Sequence, residues 1–208
     1  MKRFVVILLV LPCLVFAQEY FFDLKCTSED VRVKPRDKKL SSSFSFLLLS
    51  SKNSNVYAFQ RKNNDLIIED YNSLESLHIG KLHNQFIVNS VNEIKYDYRE
   101  FTIEKGDVSK IDDLTYLIKT FPTKKSRKSN LEVLFKLRKS NFPLVKIQFM
   151  DLSPMIHEDV YNYLLKELEN LNYQIESAFV DYRNGYKFNF KWSQCDKVNL
   201  KFNFKTSD

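Results

Sequence analysis

Hydrophobic positions along this chain begin as an unbroken run and then settle into alternation. Phe4 to Phe16 is apolar apart from Pro12 and follows Lys2 and Arg3. Val15-Phe16-Ala17 closes it in the manner of a cleavable secretory signal, cut before Gln18. An uncleaved anchor helix needs about 20 apolar residues, more than this run holds. A lipoprotein signal would use Cys13, which Pro12 and the apolar residues beyond it oppose. The expected organisation is a signal peptide over residues 1–17 and a single α+β domain over 18–208, without repeats or linkers.

From Glu19 the period is two. Tyr20, Phe22, Leu24 and Cys26 fall on one face at period two, as in a half-buried strand. Arg32 to Lys39 and the serines behind it read as a loop. Phe44 to Leu49, Leu74 to Ile79 and Phe86 to Val91 read as strands, and Val56 to Gln60 and Leu66 to Glu69 as a hairpin about Arg61 to Asp65. Ile94 to Ile103 is expected to be a strand with a bulge, because Phe101 and Ile103 resume on a shifted phase. Leu114 to Thr120 and Leu131 to Leu137 enclose a basic tip, and Leu144 to Met150 is a further apolar strand.

Helical spacing follows. Val160, Leu164, Leu168 and Leu171 form a narrow stripe behind Ser153, a good N-cap, and Pro154, suited to the first helical position. His157-Glu158-Asp159 then falls in the first turn, where carboxylates complement the helix dipole.

Near the C-terminus, Asn184-Gly185 fits a two-residue type I′ turn. Tyr186, Phe188, Phe190 and Trp192 alternate with polar residues, and so do Val198, Leu200, Phe202 and Phe204 after a loop at Ser193 to Lys197. A hairpin pairing Trp192 with Val198 and Tyr186 with Phe204 would gather all of them on one face. The fold expected is α+β: a large, mostly antiparallel curved sheet of about ten strands, with one amphipathic helix from the C-terminal half packed on it.

Composition removes more chemistry than it names. At 208 residues and 44% hydrophobic the chain can bury a core without a metal or disulfide framework. Gly80, Gly106 and Gly185 are isolated, so no phosphate-cradling loop can form, and no cofactor is expected. His78 and His83 fall on opposite faces of a continuous strand, so no metal site is expected there. An envelope hydrolase would need His78, His83 or His157 in a cleft beside a carboxylate or a cysteine. Loss of Lys2 and Arg3 with the signal lowers the charge from +6 to +4, too mild to imply a polyanion, and a nucleic-acid partner is not expected outside the cytoplasm. Abundant lysine and asparagine with scarce glycine suit an AT-rich bacterial genome.

With Cys13 lost in the signal, Cys26 and Cys195 remain. In an oxidising compartment they suggest one disulfide, the alternative being two separate buried thiols. Lys124, Lys125, Arg127 and Lys128 are candidates for contact with an anionic surface, against the ordinary role of a solvated loop tip. Phe188, Phe190, Trp192 and Phe202 are candidates for ligand binding where the aromatic face is partly uncovered, and for closed core otherwise. A transmembrane barrel is opposed by the helix, the scarce glycine and the short strands. These features imply a non-catalytic secreted or periplasmic envelope protein binding an apolar or amphiphilic ligand or a protein partner. A structural or interaction module without a cavity, and the hydrolase, are the alternatives.

Overall fold

The structure, a computed structural model, describes residues 18–33, 39–60, 65–82, 85–95, 102–142, 144, 146 and 154–204. The expected signal peptide with Cys13, the cap Ser153, His83, and most of the expected strands Ile94 to Ile103 and Leu144 to Met150 lie outside the described residues.

The strands are β1 (Gln18–Val33), β2 (Lys39–Leu49), β3 (Val56–Gln60), β4 (Leu66–Asp70), β5 (Glu75–Leu82), β6 (Gln85–Glu93), β7 (Lys105–Asp112), β8 (Thr115–Phe121), β9 (Leu131–Lys139), β10 (Tyr173–Asp181) and β11 (Lys187–Phe204), with helix α1 (Pro154–Glu167) between β9 and β10. They form one 11-stranded antiparallel sheet in the order β6-β5-β4-β3-β2-β1-β11-β10-β9-β8-β7. The sheet is thus two meanders, β1 to β6 and β7 to β11, joined where the first strand pairs with the last. The expected α+β architecture holds.

Several elements differ from expectation. β1 runs on to Val33 and β2 begins at Lys39, so both ends of the expected loop and the serine run are strand, while residues 34–38 lie outside the described residues. Their polar residues carry no alternation, but they pair with each other, as Asp30 with Ser42, and β1 also pairs with β11. β7 is a strand that the pattern does not announce. It is the last strand of the sheet, mostly exposed, and carries Lys105, Asp107, Lys110 and Asp112, the charged sequence that keeps an edge from pairing further.

The largest correction concerns the C-terminal hairpin. Ser193 to Lys197 is not a loop: β11 is continuous and pairs with β1, placing Cys26 opposite Cys195, Tyr20 opposite Phe202 and Arg32 opposite Phe188. The pairings of Trp192 with Val198 and Tyr186 with Phe204 do not form. Ser193 and Asp196 are turn formers, but the segment has no glycine, proline or asparagine beside them, and β1 offers it a full-length partner that the turn would forgo. Before β11 the chain does turn, but over Arg183, Asn184 and Gly185, with positive φ at Arg183 (55°) and Gly185 (96°) rather than as a two-residue turn. Tyr182 N–H donates to the Tyr186 carbonyl across it at 3.1 Å.

Two apolar clusters hold the sheet. The first packs α1 against β8 to β11 and extends to Leu24, Leu47, Tyr57 and Ile67. The helix face is wider than the predicted stripe: Ile156, His157, Val160, Tyr161 and Leu164 are buried, whereas Leu171 lies beyond the helix and is exposed. Gly106 of β7 lies under Tyr163, whose ring would stand 2.3 Å from any Cβ there. Because α1 starts at Pro154, no acidic residue occupies its first turn, so the expected dipole role of Glu158 and Asp159 is not realised. Glu158 instead pairs with Lys146.

The second cluster lies on the other face of β2 to β4. Leu47 and Leu49 enter the first cluster and Leu48 the second; Tyr57 and Phe59 divide in the same way from Val56 and Ala58. These strands are covered on both faces, which accounts for their unalternating apolar sequences. The second cover is the far end of the β1–β11 ribbon. It continues past Leu24, where pairing with β2 stops, and lays Tyr20, Phe22, Phe202 and Phe204 against the sheet.

Candidate functional site

Cross-strand partners in an antiparallel sheet present their side chains on one face. The face under the β1–β11 ribbon therefore reads as rows across β2 to β6. Phe46, Gln60, Leu66, Ile79 and Val88 make one row, and Leu48, Ala58, Ile68, Leu77 and Val91 the next. Beyond them on one side stand Lys81 and Phe86; on the other stand Val56, Asp70, Glu75 and Glu93. A bulge at Asn89 keeps Val88 and Val91 on the same face although they are three residues apart, and Asn89 lies over Gly80, where a Cβ would stand 2.4 Å from its amide.

The ribbon covers these rows unevenly. Phe22, Leu77 and Ile68 are sealed, whereas at β6 the apolar side chains emerge: Phe86 is 51% exposed and Val91 54%. Leu200, paired with Phe22 and so on the ribbon face that meets the sheet, is 37% exposed. Phe86 stands edge-on to Phe202 at 5.3 Å, and Phe202, Phe204 and Tyr20 continue the aromatic line inward. The result is an apolar cleft along β6, open on one side, with Phe202 and Leu200 on its ribbon wall. At its inner end burial, and then the carboxylates of Asp70 and Glu75, push the Tyr20 phenol well above its usual value.

Of the residues singled out in the sequence, Phe188, Phe190 and Trp192 are closed core, with Trp192 only 1% exposed. They lie in the cluster beneath α1, while Phe202 lies in the other cluster, at the cleft. The structure separates what the expected hairpin would have gathered. Lys124, Lys125, Arg127 and Lys128 are exposed at the β8–β9 tip, near the opposite end of the strand order from β6. Phe86, Val91 and Leu200 were not among the candidates, since an alternating strand does not reveal where its cover stops.

The remaining chemical groups are committed elsewhere. Cys26 and Cys195 form a disulfide between directly paired residues, with Cα atoms 4.1 Å apart, so neither is a free thiol. His157 is buried and stacks on Tyr161 at 6.4 Å, and His78 lies on the face of β5 opposite the cleft. Among the described residues no three His, Cys, Asp or Glu side chains come together as a metal site. Tyr57 and Tyr71 both donate to Glu69 Oε2, at 2.5 and 2.8 Å; burial and the Glu69 charge hold the Tyr57 phenol well above its ordinary range. A cavity of about 240 Å³ beside Asp23, Phe142 and Lys197 lies apart from the cleft. No described helix is long and apolar enough to cross a membrane.

No protein-family model and no curated protein matches the chain. Among solved structures it is similar to the crystal structure of a LolA superfamily protein from Nitrosomonas europaea, with a TM-score of 0.38 and 10% sequence identity over 86% of this chain and 87% of that one.

Proposed function

We propose that this chain is a non-catalytic envelope protein, secreted or periplasmic, that binds an apolar or amphiphilic ligand in the cleft along β6. One observation carries the reading: Phe86, Val91 and Leu200 stand half in water on the very face where their neighbours form a sealed core. The adjoining apolar positions of these rows on β3 to β5 are sealed by the ribbon, so the contiguous strip at β6 is left for something else to cover. The disulfide supports an oxidising compartment. The aromatic triplet Phe188, Phe190 and Trp192 supplies the rigid core beneath the helix rather than the binding surface.

Native mass spectrometry of the exported chain, before and after denaturation, tests this reading. The expected spectrum shows mass above that of the chain alone, lost on denaturation. A protein that emerges bare and also takes up no amphiphile in solution overturns it, and leaves the exposed strip as a protein contact.

A further inference from the structure

The cleft has a direction in charge as well as in polarity. Along β5, Lys81, Ile79, Leu77 and Glu75 lie on the cleft face in that order, opposite Phe86, Val88, Val91 and Glu93 of β6. One end is therefore basic, the middle apolar, and the other end acidic. Asp70 stands next to Glu75 and adds to the acidic end. Six residues of strand separate Lys81 from Glu75, about 20 Å. Among the described residues no carboxylate forms an ion pair with Lys81, a lack it shares with several other exposed lysines, so its charge is free to meet a ligand.

Resting on the ligand reading above, we propose that the cleft takes a single-chain amphiphile with an anionic head, the head at Lys81 and the chain running past Val88 and Val91 toward Glu93. Apolar contact supplies attraction without orientation, because the hydrophobic effect is non-directional. The charges at the two ends supply the orientation. An anionic head placed at Glu75 and Glu93 would face two carboxylates, and a cationic head at Lys81 would face a like charge. The two ends thus fix the direction in which an amphiphile lies: an anionic one with its head at Lys81, a cationic one reversed, with its head at Glu75 and Glu93.

The test compares laurate with dodecyltrimethylammonium, each titrated calorimetrically into the full-length mature protein below its micellar concentration, at low salt. Laurate should bind about fivefold more tightly to the unsubstituted protein than to Lys81→Met, the size expected of one solvent-exposed ion pair. Lys81→Glu should weaken laurate further, while Glu75→Gln/Glu93→Gln should weaken dodecyltrimethylammonium and not laurate. These differences should fade at about 1 M salt, where screening extends only over about 3 Å. Laurate affinity unchanged in Lys81→Met, or laurate weakened by Glu75→Gln/Glu93→Gln as much as by Lys81→Met, would each overturn the orientation while leaving an apolar site standing. Failure of both amphiphiles to bind would overturn the ligand reading itself, and this inference with it.

Discussion

Phe190 and Phe86 are the same residue in opposite situations. Phe190 is 5% exposed, edge-on to Trp192 at 5.2 Å, in the cluster that holds α1 to the sheet. Truncating it removes transfer free energy and leaves a cavity in a packed interior, so Phe190→Ala should cost about 3–5 kcal/mol. Phe86 touches Phe202 with one side and water with the other, so Phe86→Ala should cost about 1 kcal/mol or less in stability while weakening amphiphile binding. Urea denaturation at unchanged m reports the first effect, and calorimetry the second. Similar stability losses for the two variants would mean that the β6 strip is ordinary core, and would remove the site.

At the scale of elements, legibility followed local chemistry. Strands with period-two apolar residues, such as β8 and β9, stand close to where their pattern puts them. Val56 to Gln60 and Leu66 to Asp70 do so as well, since Arg61 to Asp65 is rich in turn formers. β7 was illegible for a physical reason: an edge strand held by one neighbour needs little apolar surface, and its charges serve to stop pairing rather than to pack. The extensions of β1 and β2 were hidden because ladder hydrogen bonds depend on backbone, not on side-chain pattern. The turn from β4 to β5 adds a testable detail. Leu74 adopts φ of 59°, a left-handed conformation that crowds a side chain against the following carbonyl, and it is 36% exposed. Leu74→Gly should relieve that crowding and raise stability by about 0.5–1 kcal/mol, the gain left after glycine's larger unfolded-state entropy. A lowered denaturation midpoint would show instead that the leucine's own contacts outweigh its backbone cost.

Over the whole molecule, the decisive event is the pairing of the first strand with the last. It joins two meanders that are each local in sequence, and it carries the ribbon whose end covers the second cluster and forms one wall of the cleft. Periodicity cannot report it, because β11 alternates equally well for either partner; only Cys26 and Cys195 mark the joint in the sequence. Their bridge spans 169 residues. Loop-closure entropy for such a span gives up to about 5 kcal/mol, since the cross-link removes from the unfolded chain the freedom that β1 and β11 must otherwise surrender in finding each other. The reduced protein, or the Cys26→Ala/Cys195→Ala pair, should therefore unfold at markedly lower denaturant. It should keep a single cooperative transition, because the β1–β11 ladder and the first cluster still couple both meanders. Denaturation followed with and without reductant checks both parts. A loss below about 1 kcal/mol would mean that the unfolded chain already holds its ends together. Two separate transitions would mean that the bridge, rather than the ladder, makes one domain of the two meanders.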